Sequence, residues 1–229
     1  MSESTAHDPV GAGLEALAPE LRRDLPERWR SFAAAEPDAA AAFREDPALA
    51  DAAPRVWAAS EFVAAHSLRS RDALRALALA ARRRWTPGEL LAGAADLLEG
   101  STDEAAAMQR LRSFRRAEML RIAWRDLAGW AVLEETLGHL SELAEVCIRA
   151  ADDWVHARMT AAHGEPRAAD GTPQRLLVVA MGKLGGGELN FSSDIDLVFL
   201  YPDAGERSEE RRVGKECLRL CRSRWSPYH

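Results

Sequence analysis

Two aspartates near an apolar segment are the residues of this sequence best suited to chemistry. Asp194 and Asp196 begin the run Asp194–Tyr201, whose β-branched and aromatic residues predict a strand. Because successive side chains of a strand alternate faces, both carboxylates lie on one face, about 6.5 to 7 Å apart along the backbone. Mg²⁺ prefers one or two carboxylates together with phosphate oxygens and water. The pair therefore predicts a metal site for in-line phosphoryl displacement, although a solvated turn could also hold such a pair.

A glycine-dense segment upstream supplies the second requirement of that chemistry. Backbone without Cβ can approach a polyphosphate closely and present N–H groups to it. The candidate nucleotide- or phosphate-binding residues are Gly182, Lys183, Gly185, Gly186, Ser192 and Ser193. The two serines could orient the turn instead of contacting phosphate. A Walker A loop is disfavoured because Lys183 precedes the glycine cluster and no Lys-Ser or Lys-Thr pair follows it.

The elements that must position these residues are mostly helical. Residues 1–12 lack periodicity and predict a disordered start, whereas residues 13–163 are rich in Ala, Leu and Arg with apolar residues three and four apart. Capping boxes are predicted at Thr86–Glu89 and Ser101–Glu104, and the last helix at about Val132–Ala162. Its predicted core stripe is Leu133, Leu137, Leu140, Ala144, Cys147, Ala151 and Trp154. Breaks between shorter helices are predicted at Pro26, Pro37, Pro47 and Pro54.

The composition changes after the helices. Residues 164–175 predict a turn-rich linker, and Leu176–Ala180 predicts a buried strand because it is wholly apolar. The glycine turn, which could include one helical turn, and the strand with the aspartates follow. We therefore expect a mostly α chain whose helical N-terminal segment is followed by the start of an α+β domain over residues 176–206.

The composition of the sequence argues against several classes of protein. The 229 residues carry 30 Lys and Arg against 36 Asp and Glu, a formal net charge of −6, which argues against nucleic-acid binding through bulk charge. No apolar run reaches the roughly 18 residues of a membrane span, and the start lacks a signal-peptide pattern. Cys147, Cys217 and Cys221 show no ligand-type repeat. We expect a cytoplasmic protein with no nucleic-acid and no membrane partner.

Two stretches of the sequence resemble one known family. Met181–Tyr201, MGKLGGGELNFSSDIDLVFLY, resembles the signature of the glutamine synthetase adenylyltransferase/adenylyl-removing enzymes, members of the nucleotidyltransferase-fold superfamily. Gly182-Lys183, ten residues and Asp194-Ile195-Asp196 fit the superfamily pattern of a glycine pair, a spacer and Asp-x-Asp. Arg112–Gly129 looks like the helix before the catalytic domain, and Leu133–Leu137 continues that match. The resemblance covers roughly residues 10–205.

The resemblance implies a metal-dependent nucleotidyltransferase that acts on glutamine synthetase. The family's enzymes carry an N-terminal domain that removes AMP from a tyrosine of glutamine synthetase and a C-terminal domain that attaches it. Because the motif follows one helical segment fewer than 200 residues after Met1, it corresponds to the adenylyl-removing copy. Inorganic phosphate would attack the AMP phosphorus, and ADP would be the product.

The same resemblance implies roles for individual residues and partners. Asp194 and Asp196 would be catalytic and hold Mg²⁺, and Gly182 and Lys183 would lie against the phosphates. ATP, ADP, AMP and phosphate would be substrates or products. The implied partners are glutamine synthetase and, through parts of the enzyme beyond this chain, the PII signalling protein.

The end of the sequence departs from the family. Family-like sequence stops near Glu206, before the later strand that brings a third carboxylate in this superfamily. Residues 207–229, RSEERRVGKECLRLCRSRWSPYH, look like the translation of a sequencing-library adapter. We therefore expect the first part of a longer enzyme, interrupted by read-through and inactive alone. Its two strands would leave their apolar faces without partners.

Other residues have simpler interpretations. An arginine series could bind an acidic partner or phosphate, but a solvated face with local pairs to Glu118 or Asp126 is favoured. The series is Arg110, Arg112, Arg115, Arg116, Arg121 and Arg125. The tryptophans 124, 130 and 154 are assigned to core and interdomain packing. The six histidines show no ligand spacing, and Cys147 is predicted to be a small buried hydrophobe.

Two other functions stay open. One is a different nucleotidyltransferase, either the adenylylating copy or a uridylyltransferase that acts on the PII protein. The other is a non-enzymatic helical interaction module with a chance Asp-x-Asp.

Overall fold

The computed structural model describes residues 8–84, 86–101 and 103–201. This part of the chain is mostly α-helical, as predicted, with a two-stranded antiparallel sheet after the long helices. The first helices are α1 (Pro9–Glu15), α2 (Pro19–Arg22), α3 (Leu25–Ala35), α4 (Pro37–Arg44), α5 (Pro47–Ala59), α6 (Glu61–Ser67) and α7 (Arg71–Ala80). They are followed by α8 (Pro87–Glu99), α9 (Glu104–Leu127), α10 (Leu133–His163), β1 (Leu177–Ala180), α11 (Gly182–Gly185) and β2 (Leu197–Leu200). The predicted adapter-like tail, residues 207–229, lies outside the described residues.

Local capping chemistry sets the start of the long helices. The capping box at Thr86 is confirmed: Thr86 Oγ1 accepts from Glu89 N at 3.3 Å, and Thr86 N donates to Glu89 Oε2 at 2.8 Å. The box predicted at Ser101 is wrong, because α9 begins at Glu104 and Asp103 Oδ1 accepts from Ala106 N at 2.8 Å. A carboxylate one residue before the helix reaches the third helical N–H directly.

The first described helix begins earlier than the sequence predicts. Residues 9–12 belong to α1 rather than to a disordered start, and Val10 is fully buried. Asp8 explains the ordering because its carboxylate accepts from both Gly11 N at 3.0 Å and Trp29 Nε1 at 2.9 Å. One side chain thus caps α1 and ties it to α3.

The described chain divides into two compact units. Of the described residues, the first unit comprises 8–84 and 116–136, and the second comprises 86–101, 103–115 and 137–201. Although α9 and α10 are long, no helix among residues 8–84, 86–101 and 103–201 is both long and apolar enough to cross a membrane.

The first unit has an aromatic core. Trp29, Phe43, Trp57 and Trp124 are almost completely buried, and their neighbouring ring centroids lie 5.6 to 6.2 Å apart. Phe43 and Trp57 stack, whereas Trp124 meets both of them edge to face. These are favoured arrangements of aromatic rings. The assignment of Trp124 to the core is therefore confirmed.

The second unit has an aliphatic core. Its buried residues are Leu90, Ala94 and Leu98 of α8, Ala107 of α9, and Val146 and Ala150 of α10. Of the stripe predicted on α10, Leu140, Ala144 and Cys147 are buried, whereas Leu133 is 64% exposed at the first residue of the helix. Trp154 is half-buried, packs against this core and lies under the Arg158 guanidinium at 4.8 Å.

Two arginines of α9 are buried, which corrects the prediction of a solvated arginine face. Arg121 is 1% exposed; its Nε donates to Glu118 Oε2 at 2.7 Å and its Nη1 to the Arg83 carbonyl at 2.9 Å. Arg125 is 3% exposed and pairs with Glu135 at 2.7 Å instead of Asp126. The pair with Glu118 is confirmed. The arginines at 110, 112 and 116 are exposed, as the solvated-face interpretation predicts.

Proline positions explain most of the short helices. Pro26, Pro37 and Pro47 lie in the first turns of α3, α4 and α5, where a missing N–H costs nothing. Pro54 lies inside α5 rather than at a break. Its ring packs against Gly13 of α1, where an added Cβ would lie 2.6 Å from Pro54 Cγ.

This contact predicts opposite effects of alanine at two helical glycines. Gly13→Ala is expected to lower the free energy of unfolding by about 1 to 3 kcal/mol, because the rigid proline ring must shift. Gly138→Ala in α10 is the control. Its Cβ would meet nothing within 4 Å, so better helix propensity should raise stability by about 0.5 to 1 kcal/mol. Urea denaturation of both variants measures the difference, and equal effects would contradict the close contact.

The sheet is shorter and more exposed than the sequence predicts. β2 begins at Leu197 rather than at Asp194, because its partner strand β1 ends at Ala180, just before the chain turns into α11. The prediction of a buried first strand is wrong, since Leu177 is 52% and Val179 is 42% exposed. Phe199 of β2 is 51% exposed. Among the described residues the sheet consists of these two strands alone.

Candidate functional site

The strand register brings the two sequence motifs to one end of the hairpin. Ala180 pairs with Leu197, so the last residue of β1 lies opposite the first residue of β2. One further bond, from Met181 N to the Asp196 carbonyl at 2.9 Å, continues the pairing beyond the strands. Gly182 therefore starts its turn directly beside the backbone of Asp196. The structure brings the glycine turn and the aspartates together, as the sequence predicts.

The two carboxylates project from the same side of the chain. Ser193 and Ile195 are each 7% exposed, whereas Asp194 and Asp196 between and after them are exposed. This alternation is what extended backbone produces, although these residues precede β2. In the part of the chain that the structure describes, no group of three or more His, Cys, Asp or Glu side chains is gathered as a metal site. The candidate site therefore consists of two accessible carboxylates.

Glycine is required at two positions of the turn. Gly182 has φ of +59°, in the left-handed region that side chains disfavour. At Gly185 an added Cβ would lie 2.5 Å from the Ala180 carbonyl oxygen, so α11 packs directly on the end of β1. The turn is closed by Gly185 N to Met181 O at 3.2 Å and Glu188 N to Lys183 O at 2.8 Å. Lys183 and Gly186 are exposed, which leaves them accessible to a ligand.

The two serines have different surroundings. Ser193 Oγ donates to Asn190 Oδ1 at 2.7 Å and accepts from Asn190 N at 3.3 Å, so it holds the turn before the aspartates. Ser192 is exposed, and its N–H donates to Asn190 Oδ1 at 3.1 Å. Of the two alternatives in the sequence, the geometry favours a turn-orienting role for Ser193.

Ser141 is a positioning residue that sequence reasoning missed. It is 4% exposed on α10, donates to the Leu137 carbonyl at 2.9 Å and accepts from Leu189 N at 3.0 Å. Leu184 and Leu189, which flank the last glycines, are 3% and 0% exposed. The end of the glycine turn is thus anchored to α10 through Leu189, and Leu184 is buried at its start. A serine one turn after Leu137 in the apolar stripe was the available signal.

Adjacent glycines offer a test of the turn geometry. Gly185→Ala is expected to displace the turn, because its Cβ would overlap the Ala180 carbonyl at 2.5 Å. The expected result is amide exchange at residues 185–188 at least about tenfold faster, equivalent to a local loss of about 1.4 kcal/mol. Gly186→Ala is the control, since its nearest contact would be an ordinary 3.7 Å. Similar exchange in both variants would contradict the close packing.

The family comparisons agree with this site. A sequence model of the glutamate-ammonia ligase adenylyltransferase family matches residues 51–223. A bifunctional glutamine synthetase adenylyltransferase/adenylyl-removing enzyme of Thioalkalivibrio sulfidiphilus is 43% identical over 223 residues, which cover 93% of this chain and 23% of the relative. Enzymes of the same name from Pseudomonas aeruginosa and Nitrosococcus oceani are 46% and 43% identical. Those matches cover 69% and 73% of this chain, and 16% and 18% of the relatives.

These matches also show how much of such an enzyme the chain represents. It spans less than a quarter of the length of these relatives. The family match contains the glycine turn, both aspartates, α9 and α10, and it runs past residue 206 into the segment predicted to be foreign. Because the match covers well over half of the chain, the resemblance noted in the sequence is confirmed. The chain belongs to the glutamate-ammonia ligase adenylyltransferase family.

Proposed function

We propose that this chain consists of a helical segment followed by the first part of a nucleotidyltransferase domain. The complete domain removes AMP from a tyrosine of glutamine synthetase. The observation that carries the proposal is the hairpin end. There Asp194 and Asp196 lie exposed beside the Gly182–Lys183 turn, in a chain of this family. Glutamine synthetase is accordingly the proposed substrate protein. Control by the PII signalling protein is proposed to act through the rest of the enzyme.

The carboxylates fit the divalent cation that such a reaction needs. Both donors are hard oxygens on one side of the chain, exposed to solvent, and beside backbone that a phosphate can approach. We propose that Asp194 and Asp196 hold Mg²⁺. When bound, the ion neutralises charge on the transferring phosphoryl group.

The chain's own residues have separable tasks in the proposed reaction. Inorganic phosphate forms the new P–O bond of ADP as the bond from the AMP phosphorus to the tyrosine oxygen breaks, and the tyrosine leaves as phenolate. Lys183 places a compact positive charge near the phosphates, and Gly182 lets the backbone approach them. Ser193 and Ser141 keep the turn and the aspartates in fixed positions. ATP, ADP, AMP and phosphate are the proposed ligands.

The helices before the site support the adenylyl-removing copy. Residues Arg112–Gly129, which resemble the helix before that domain, fall within α9 and the turn that follows it. The continuation Leu133–Leu137 begins α10, the helix whose Ser141 anchors the glycine turn. α10 is thus hydrogen-bonded to the segment that carries the glycine turn.

The test is phosphate-dependent release of AMP as ADP from adenylylated glutamine synthetase. The full-length enzyme should catalyse the release and require Mg²⁺. A uridylyltransferase would instead transfer UMP to the PII protein, and a helical interaction module would bind neither Mg²⁺ nor nucleotide. Either result would contradict the proposal.

The 229-residue chain itself is expected to be inactive. Its described residues supply two carboxylates, and the apolar faces of its hairpin are exposed. ADP production from adenylylated glutamine synthetase should therefore stay at the background rate with this chain. Robust turnover would contradict the truncation hypothesis, and sequencing the genomic DNA past codon 206 would test that hypothesis independently.

A further inference from the structure

A basic depression in the first unit is separate from the residues of the proposed function. It has a volume of about 370 Å³ and is lined by Ala48, Arg82, Arg84, Arg125 and Trp130. All five residues belong to the first unit, whereas Asp194 and Asp196 belong to the second. An inference about this depression therefore does not rest on the proposed function.

The arginines of the depression outnumber their carboxylate partners. Arg82 pairs with Asp46, while Arg84 Nη2 and Arg125 Nη2 share Glu135 at 3.2 and 2.7 Å. Among the described residues, three guanidinium groups thus pair with two carboxylates, which leaves one excess positive charge. Asp46 is partly occupied as well, because its Oδ1 also accepts from the N–H groups of residues 48 and 49 at 3.1 and 3.2 Å.

The buried arginine has an unused donor. Arg125 is 3% exposed, and its Nε has no hydrogen-bond partner among the described residues. Its Nη1 donates to the Ala81 carbonyl at 3.2 Å and its Nη2 to the Trp130 carbonyl at 3.1 Å, so the guanidinium is fixed in place. A buried guanidinium whose N–H groups are not all paired is unfavourable, and a negative charge bound in the depression would offset its positive charge.

The other two arginines are free to rearrange around a ligand. The side chains of Arg82 and Arg84 are 56% and 71% exposed, so their surface ion pairs hold them weakly. Arg82 also lies 5.9 Å from the ring of Trp130, which forms a half-buried wall. One fixed and two adaptable guanidinium groups suit the three terminal oxygens of a phosphate better than the two oxygens of a carboxylate.

We propose that this depression binds phosphate, either inorganic phosphate or the terminal group of a phosphate monoester. Arg82 and Arg84 donate to its oxygens, and the buried Arg125 supplies the fixed positive charge. Trp130 borders the bound group and therefore reports its presence.

The test follows the indole N–H resonance of Trp130 in the full chain labelled with ¹⁵N-tryptophan. Trp130→Phe assigns the resonance, and sodium phosphate is titrated at constant ionic strength against sodium chloride. The expected result is a saturable shift with phosphate that is absent with chloride. Arg84→Gln should weaken phosphate binding at least tenfold, and the exposure of Arg84 makes its loss harmless to folding. Arg149→Gln is the matched control, an arginine 67% exposed and paired to Glu145 at 3.8 Å.

The results of this titration distinguish phosphate binding at the depression from non-specific binding and from binding at the aspartates. Unchanged binding in Arg84→Gln, or equal shifts with chloride or acetate, would overturn the proposal. Asp194→Asn should leave the Trp130 shift unchanged, and loss of the shift there would overturn it too. Tighter binding of phenyl phosphate than of inorganic phosphate would identify a monoester as the ligand. Equal or weaker binding would identify free phosphate, and both of those results support the site.

Discussion

Asp194→Asn in the full-length enzyme is expected to lower phosphate-dependent release of AMP from adenylylated glutamine synthetase by about 10³-fold or more. The substitution keeps the shape of the side chain but removes one of two exposed negative charges at the hairpin end. Because a metal ion contributes several kcal/mol of charge stabilisation to phosphoryl transfer, loss of a ligand removes most of the rate. The measurement is ADP formed per enzyme with saturating phosphate and Mg²⁺.

Two controls test whether the lower AMP release results specifically from the loss of Asp194 in the adenylyl-removing domain. The adenylylating activity of the same Asp194→Asn enzyme should be retained, since a different domain is proposed to carry it. Glu188→Gln, which removes an exposed carboxylate at the end of the glycine turn, should leave AMP release within about twofold, as for an ordinary surface change. Loss of both activities in the Asp194 variant would count against assignment to the adenylyl-removing copy, and full release would count against a catalytic role.

Glu118→Ala is expected to lower the free energy of unfolding by about 3 to 5 kcal/mol, the largest stability effect predicted for this chain. Glu118 is 9% and Arg121 1% exposed, and their contact is 2.7 Å. Removing the carboxylate leaves a buried guanidinium with the Arg83 carbonyl as its other partner. Urea denaturation followed by the loss of helical circular dichroism measures the change.

A matched pair of variants distinguishes burial from charge alone. Glu118→Gln keeps a hydrogen-bond acceptor and should cost less than Glu118→Ala. Glu145→Ala breaks the exposed pair with Arg149 at 3.8 Å and should change stability by no more than about 0.5 kcal/mol. If Glu118→Ala and Glu145→Ala had equal effects, the buried pair would not be a major contributor to stability.

The sequence predicts the features that depend on neighbouring residues. The Thr86 capping box, the extent of α10 and the helical turn at Gly182–Gly185 follow from residues within one or two turns of each other. The positions of Asp194 and Asp196 on one side of the chain follow from the geometry of extended backbone. The family motif and the candidate site could therefore be found before the structure.

Other features depend on contacts distant in sequence. The burial of Arg121 requires a carbonyl that lies 38 residues away, and the anchoring of Leu189 requires a hydroxyl 48 residues away. Neither partner is visible in a local pattern. At α9 the difficulty is different, because serine, threonine and aspartate are consecutive at 101–103 and each can cap a helix. The exposure of β1 depends on which elements pack over it, and an apolar run cannot report that.

The aromatic core of the first unit gives the protein a spectroscopic property. Trp29, Trp57 and Trp124 lie close enough for the electronic transitions of their indole rings to couple, and all three are held at fixed angles by packing. Excitation energy is transferred among these three rings before emission, so their coupled optical signal reports on the first unit. Trp154, packed on the core of the second unit, emits from other surroundings. The loss of the two signals on heating would show whether the units melt together or one after the other.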